Sequence, residues 1–243
     1  MYRIKEFASI PSTSDYLKDN YKSLEDTDVV VAKHQTKGHG RLGRVWQDDS
    51  SSLLFSILLK NDIHADSASL IPLLAGAAVL SAFQELGVSS SIKWPNDLML
   101  GEKKCTGIIV EGVSEEKIAA LVVGIGVNVN NVSFDSSIQE KATSLRLYAK
   151  HTFDKKEVLR LIISSFDKLY RDYLKGDNSF ISIIKTHSYL DGKEVYLDYY
   201  DEKKRATVIG IQYDGRLLIE SDGKKSLLNA GEVSLQSVYA SSH

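Results

Sequence analysis

Residues 36–47 read TKGHGRLGRVWQ, setting Gly38, Gly40 and Gly43 around His39, Arg41 and Arg44, with Trp46 two residues on. Glycines let backbone N–H groups come close to a ligand, and guanidinium groups present planar donors suited to phosphate or carboxylate. The chemistry on offer is anion binding, although a glycine-rich surface turn with solvated charges has the same composition. Two further clusters follow. One is Lys93-Trp94-Pro95-Asn96-Asp97, with Lys103-Lys104-Cys105-Thr106-Gly107-Ile108-Ile109 after it; the other is Gly124-Ile125-Gly126-Val127-Asn128-Val129-Asn130. Taken singly, KWPND also reads as a turn with an aromatic plug, Lys103-Lys104 as a solvated hairpin tip, and GIGVNVN as a strand end with polar caps. Cys105 has no His/Asp pattern to activate it and reads as a small buried residue.

These clusters need elements to hold them. DVVVAKHQ (Asp28–Gln35) is β-branched and apolar, so the glycine segment leaves the end of a buried strand, where ligand loops concentrate. Ser14 ahead of DYLKDNYKSL predicts an N-capped first helix. SSLLFSILLK (Ser51–Lys60) predicts a strand, and Ser67–Gly87 a helix apolar on most faces, hence buried, that Gly87 ends. SIKWPNDLMLGEKK reads as strand, proline turn, strand and tight turn, leading into strand CTGIIVEGV. Lys117–Asn130 predicts another buried strand. KKEVLRLIISSFDKLYRDYLKG places Val158, Ile162, Phe166, Leu169 and Tyr173 on one helical face, and a short helix, Phe180–His187, follows. Beyond Tyr189 the runs are short and β-rich, two of them closed by Asp-Gly turns. The expectation is an α+β fold: a mixed-sheet domain over residues 1–188 and a small all-β, SH3-like barrel over 189–243.

Composition excludes several function classes. The 243 residues are 43% hydrophobic with a net charge of −2, so no global basic field points to nucleic acid. One cysteine rules out an internal disulfide and a cysteine-built zinc site, and fits a reducing cytosol. The apolar run Leu70–Leu80 is too short for a bilayer and contains Pro72, and the N-terminal residues lack a secretory pattern. These readings predict a cytoplasmic protein with neither a nucleic-acid nor a membrane partner. Gly38, Gly40 and Gly43 match GxGxxG, but a dinucleotide fingerprint needs a helix at its third glycine. Here RVWQDDSSSLLFSILL follows, a loop and a strand. The spacing of Gly38 and Gly43 also suits a P-loop, yet Arg44-Val45 stands where that loop needs Lys-Ser/Thr.

The set STS, QTKGHGRLGRVW, KWPND, KKCTGIIVE and VGIGVNVN, in this order, resembles the biotin–protein ligases, also called biotin–[acetyl-CoA-carboxylase] ligases. The resemblance covers essentially the whole chain and implies a mixed-sheet catalytic domain of the biotin/lipoate ligase type followed by the SH3-like domain. It implies ATP and biotin as substrates, Mg²⁺, and a biotin carboxyl carrier protein or domain as acceptor. Some family members carry an N-terminal DNA-binding domain. This chain opens directly on catalytic-domain residues, so a monofunctional ligase is expected. A homodimer is left open.

By the same resemblance Lys104, Arg41 and Arg44 supply the positive charge for the chemistry. The binding positions are Ser12, Thr13, Ser14, Gln35, Gly38, His39, Gly40, Arg41, Trp46, Lys104, Gly107, Ile108 and Asn128. The hydroxyls and Gln35 suit a ureido ring, Gly107 and Ile108 offer backbone groups beside an apolar wall, Trp46 walls the acyl chain, and Asn128 faces the nucleotide. Asp97 orients basic groups or a metal. Two departures stand out: many relatives have arginine where His39 stands, and between Asn131 and Thr143 only Phe134 is aromatic and free to cover adenine. Two alternatives are a lipoate–protein ligase-like enzyme and a non-catalytic biotin- or nucleotide-sensing module. The GHGRLGRVW loop and β-rich C-terminus favour biotin, and intact Lys104 with both loop arginines disfavours a sensor, which need not keep transition-state groups.

Overall fold

The structure, a computed structural model, describes residues 2–61, 67–114, 117–199, 202–229 and 234–237. A seven-stranded sheet is built from β1 (Ile4–Phe7), β2 (Val29–Ala32), β3 (Leu53–Leu59), β4 (Ser91–Lys93), β5 (Asp97–Leu100), β6 (Lys103–Ser114) and β7 (Ile118–Val127). Its order is β1-β2-β3-β7-β6-β5-β4, with β1 parallel to β2 and every other pair antiparallel. The strand β1 carries no apolar signal because it lies exposed at the sheet edge, where the Arg3–Asp28 ion pair at 2.6 Å fastens it to the start of β2.

The central strands alternate between two unlike faces. Leu53, Phe55, Ile57 and Leu59 of β3, Ile108 of β6 and Val123, Ile125 and Val127 of β7 point into one large apolar core. That core is filled by α2 (Ser67–Glu85), backed by α4 (Lys155–Leu174) and α5 (Phe180–Thr186). α2 is apolar all round because it is enclosed between sheet and helices, and Gly87 follows it with φ +73°. Val158, Ile162 and Phe166 of α4 are fully buried, with Leu169 and Tyr173 packed at the margin as their spacing predicts. On the opposite face a small cluster, Val30, Leu58, Ala120 and Val122, receives Leu17 of α1 (Thr13–Asn20).

The cap of α1 differs from expectation. Ser12, in extended backbone, accepts from the Asp15 N–H at 3.2 Å, whereas Ser14 already lies inside the helix and turns its hydroxyl to the sheet. A five-residue helix, α3 (Leu145–Ala149), capped by Ser144, is too short to leave a periodic pattern.

The C-terminal strands β8 (Glu194–Tyr199), β9 (Glu202–Ile211), β10 (Leu217–Ser221), β11 (Lys224–Leu228) and β12 (Ser234–Ser237) form a five-stranded antiparallel sheet, order β11-β10-β9-β8-β12. Asp222 and Gly223 both have positive φ, the conformation a two-residue hairpin turn requires. This small sheet is joined to the larger domain by more than a linker. Val195, Ala206, Val208 and Leu217 share the α2 core, Ile92 bonds to both His187 and Tyr189, and the Trp94 indole N–H donates to the Gly215 carbonyl at 2.9 Å. The aromatic plug expected in KWPND is therefore real, and what it plugs is the junction of the two sheets.

Candidate active site

Toward the loop end of the α1 face, the sheet loses its side chains. Ser56 pairs with Gly124, and Gly107 with Gly126, on neighbouring strands. Trp46 lies on this bed: a Cβ on Gly107 or on Gly126 would stand 2.7 Å from the indole ring. A Cβ on Gly124 would likewise stand 2.7 Å from Ser14 Oγ. The glycines of TGIIVE and GIGVNVN thus clear a shelf on the sheet. Trp46 Nε1 is buried and has no hydrogen-bond partner among the described residues.

Below the shelf sits a hydroxyl cluster. Gln35 Oε1 accepts from the Thr13 N–H at 2.6 Å and from its hydroxyl at 2.9 Å; the Thr13 and Ser14 hydroxyls meet Ser56 Oγ at 2.7 and 2.9 Å. Ser56 escaped the sequence reading, yet a lone serine in the run LLFSILL is the signal that this strand turns one polar group to the second face. The glycine loop itself is a small hairpin: Trp46 N–H donates to Gly38 O, Gly40 N–H to Arg44 O, and His39 bridges to Val45. At Gly38 a Cβ would fit tightly, 3.0 Å from the Gln35 side-chain amide, which would have to shift. Asp48 closes the base of the loop, accepting from the Gln35 N–H at 3.0 Å and facing His34 Nδ1 at 2.9 Å. A hairpin, with no helix after the third glycine, disposes of the dinucleotide reading.

At the shelf's far edge the cations collect. Lys104 Nζ is 2.7 Å from Asp97 and 5.8 Å from the Trp46 ring centroid. Arg41 is half-buried and donates to Asn96 Oδ1 at 3.3 Å, while Asn96 donates to the Ile108 carbonyl at 2.6 Å. Burial pulls the Arg41 guanidinium below its ordinary value, Arg44 adds to the pull and Asp97 opposes it. The same holds for Lys93, where burial dominates, Asp97 opposes and Lys104 adds. Arg44 is exposed. Both Asn96 and Lys93 lie in a motif the sequence singled out without assigning them roles.

Three expected positions have different surroundings. Ile108 points its side chain into the α2 core, and its backbone N–H and C=O both bond to Asn96. Asn128 is buried: its amide donates to the Thr143 carbonyl at 3.1 Å and accepts from Ser52 at 3.4 Å, and the Thr143 N–H in turn donates to the Lys104 carbonyl. It therefore braces the backbone behind Lys104. Phe134 lines an open groove of about 560 Å³ with Lys103, Val132, Gln139 and Tyr148. Cys105 is fully buried, and burial pushes its thiol up to about 12, which removes it as a nucleophile.

Asp97 is committed to Lys104, and among the described residues no group of three or more His, Cys, Asp or Glu side chains is placed to hold a metal ion. Among those residues too, no helix is long and apolar enough to cross a membrane.

Residues 6–128 match the model of the biotin/lipoate A/B protein ligase family. The bifunctional ligase/repressor BirA of Bacillus subtilis is 31% identical over 230 residues, spanning 92% of this chain and 70% of that protein. The biotin–[acetyl-CoA-carboxylase] ligase of Mycobacterium tuberculosis is 25% identical over 215 residues, spanning 84% and 77%. Among solved structures, the biotin protein ligase from Aquifex aeolicus in complex with biotin and ATP superimposes with a TM-score of 0.87 at 30% identity, covering 97% of this chain and 99% of the other.

Proposed function

Because this chain belongs to the biotin/lipoate A/B protein ligase family, we infer that it is an ATP-dependent biotin–protein ligase. A carboxylate oxygen of biotin attacks the α-phosphorus of ATP, the bond to the β-phosphate oxygen breaks, and pyrophosphate leaves. The amine of an acceptor lysine then attacks the acyl carbon of biotinyl-5′-AMP, loses a proton, and AMP departs. The acceptor in this reading is a biotin carboxyl carrier protein or domain, and the reaction takes place in the cytoplasm.

The observation that carries the reading is the position of Lys104 at the edge of a glycine-cleared shelf, beside Trp46 and across from Arg41. Both steps concentrate negative charge on a carboxylate and phosphate pair, and a preplaced ammonium and guanidinium stabilise that charge without reorganisation. In our assignment Lys104 leaves Asp97 to serve the reacting oxygens, Arg41 and Arg44 hold phosphates, and Asp97 returns Lys104 to its place. Thr13, Ser14 and Gln35 supply the polar end of the biotin site, with Gly38, His39 and Gly40 lending backbone groups. Trp46 walls the acyl chain, and its N–H, without a partner among the described residues, is a donor left for a ligand. Magnesium enters with ATP as MgATP, since phosphate oxygens and water dominate its shell and one carboxylate suffices.

The test is transfer itself. Incubated with MgATP, biotin and a carrier domain, the protein should add one biotinyl group to one carrier lysine by mass spectrometry, and none after that lysine is changed to arginine. An unmodified carrier would count against the reading.

A further inference from the structure

Ser56 is fully buried on β3, and its hydroxyl meets two hydroxyls of α1, Thr13 Oγ1 at 2.7 Å and Ser14 Oγ at 2.9 Å. Taken alone, either atom of each pair could donate. The contacts taken together remove that freedom. The Thr13 backbone N–H donates to the Gln35 side chain at 2.6 Å, so the atom it meets is the amide oxygen, which only accepts. The Thr13 hydroxyl lies 2.9 Å from the same oxygen and therefore donates to it. Its one proton is then committed, so Ser56 donates to Thr13, and Ser14 in turn donates to Ser56.

The protons thus run one way, from Ser14 to Ser56 to Thr13 to Gln35, and the relay leaves two different ends. Ser14 Oγ has given up its proton and offers only lone pairs. It lies over the shelf, where a Cβ on Gly124 would stand 2.7 Å from it. At the other end, the Gln35 amide nitrogen keeps its N–H donors and makes no hydrogen bond among the described residues. An acceptor and a donor held by one buried relay match a ring edge that carries an N–H beside a C=O, as a cyclic urea does. A dithiolane ring carries neither group.

Resting on the biotin-ligase reading, we propose that Ser56 is a positioning residue that fixes this polarity and so makes the site specific for a ureido ring. Without the Ser56 oxygen, the Ser14 proton loses its acceptor and can turn toward the ligand, where it opposes a ureido N–H, donor against donor. Polar groups left unmatched in a buried site are what reject the wrong ligand.

Calorimetric titration of the whole protein tests this without relying on turnover. Ser56→Ala should raise the Kd for biotin about tenfold, the scale of one buried hydrogen bond left unmade. Ser56→Thr, which restores the hydroxyl, should return most of that loss. Selectivity is the sharper readout. A biotin analogue methylated at its ureido nitrogens has no N–H to offer. The wild type should prefer biotin over it by roughly ten times the factor shown by Ser56→Ala, because the bulk of the methyl groups is common to both proteins. Equal preference in the two proteins, or unaltered biotin affinity in Ser56→Ala, overturns the proposal. In the unliganded protein, the Thr13 hydroxyl proton should show nuclear Overhauser contacts to the Gln35 side chain. Contacts to the Ser56 methylene instead would reverse the relay and overturn the proposal as well. A wild type that binds no biotin would remove the ligase reading and the ureido assignment together, and the hydroxyl protons would then decide the relay alone.

Discussion

The two faces of the central sheet are built by alternate residues of the same strands, and they differ in kind. Toward α2, Phe55, Ile57, Ile108, Val123 and Ile125 interdigitate with a helix apolar on every side. Toward α1 and the glycine loop, the intervening positions are Ser56, Gly107, Gly124 and Gly126, and the space they vacate is taken by Trp46 and the Ser14 hydroxyl. One face fills its side chains into the core; the other keeps a small apolar cluster under Leu17 and, toward the loop end, gives up side chains to make room. Function is found where the packing rule is broken.

Removing the C-terminal sheet attacks the α2 side and should have the largest effect. Truncation after Tyr189 strips Val195, Ala206, Val208 and Leu217 from the shared core and leaves Trp94 without its Gly215 partner. Losing one large buried side chain costs about 3–5 kcal/mol, against a typical domain stability of about 5–15 kcal/mol. Thermal melting should lose its cooperative transition and exchange activity should vanish. A truncated protein that melts sharply and turns over fully would make the C-terminal sheet a mere appendage.

Lys104→Gln attacks the other face and should leave melting nearly unchanged. Removing one electrostatic contact to the transition state typically lowers the rate on the order of 10²–10³-fold. Biotin should still bind, while both adenylate formation and transfer from supplied biotinyl-5′-AMP slow, visible as a fall in kcat. A raised KM with normal kcat would move Lys104 from chemistry to binding.

A pair of adjacent substitutions sharpens the contrast further. Gly126→Ala drives a Cβ into the Trp46 ring. Such overpacking costs about 1–3 kcal/mol, and displacement of the indole should appear as a rise of roughly tenfold in KM for biotin. Ile125→Val, one residue away on the core face, should lower stability by about 0.5–1.5 kcal/mol and leave KM alone. Equal effects on melting and KM in both variants would dissolve the distinction between the faces.

Lys103→Gln should have the smallest effect. Adjacent strand residues point to opposite sides, and Lys103 makes one exposed hydrogen bond, to the Gln139 carbonyl at 3.0 Å. Stability should change by less than about 0.5 kcal/mol and exchange should be unaltered. If Lys103 proves essential and Lys104 dispensable, the assignment is off by one residue.

The same contrast explains what could be read from the chain. Continuous apolar runs announced β3, β7 and α2, and a helical period announced α4, because burial against a dry core leaves such patterns. The exposed edge strand β1 and the single-turn α3 bury too little to be patterned. Within the site, the glycines and cations were conspicuous by type. Groups whose part depends on long-range contact could not be given a role locally: Asn96 under Arg41, although its motif was conspicuous, and Asp48 closing a loop that begins 12 residues earlier. Ser14 looked like a cap because it precedes a helical run, and only the backbone shows that Ser12 takes that place.

Biotin-dependent ATP–pyrophosphate exchange tests the central claim most directly, because it reports the first chemical step without any carrier protein. With labelled pyrophosphate and MgATP, exchange should appear on adding biotin and stay at background with lipoate or with no acid. Exchange supported by lipoate, or by neither acid, would contradict the account.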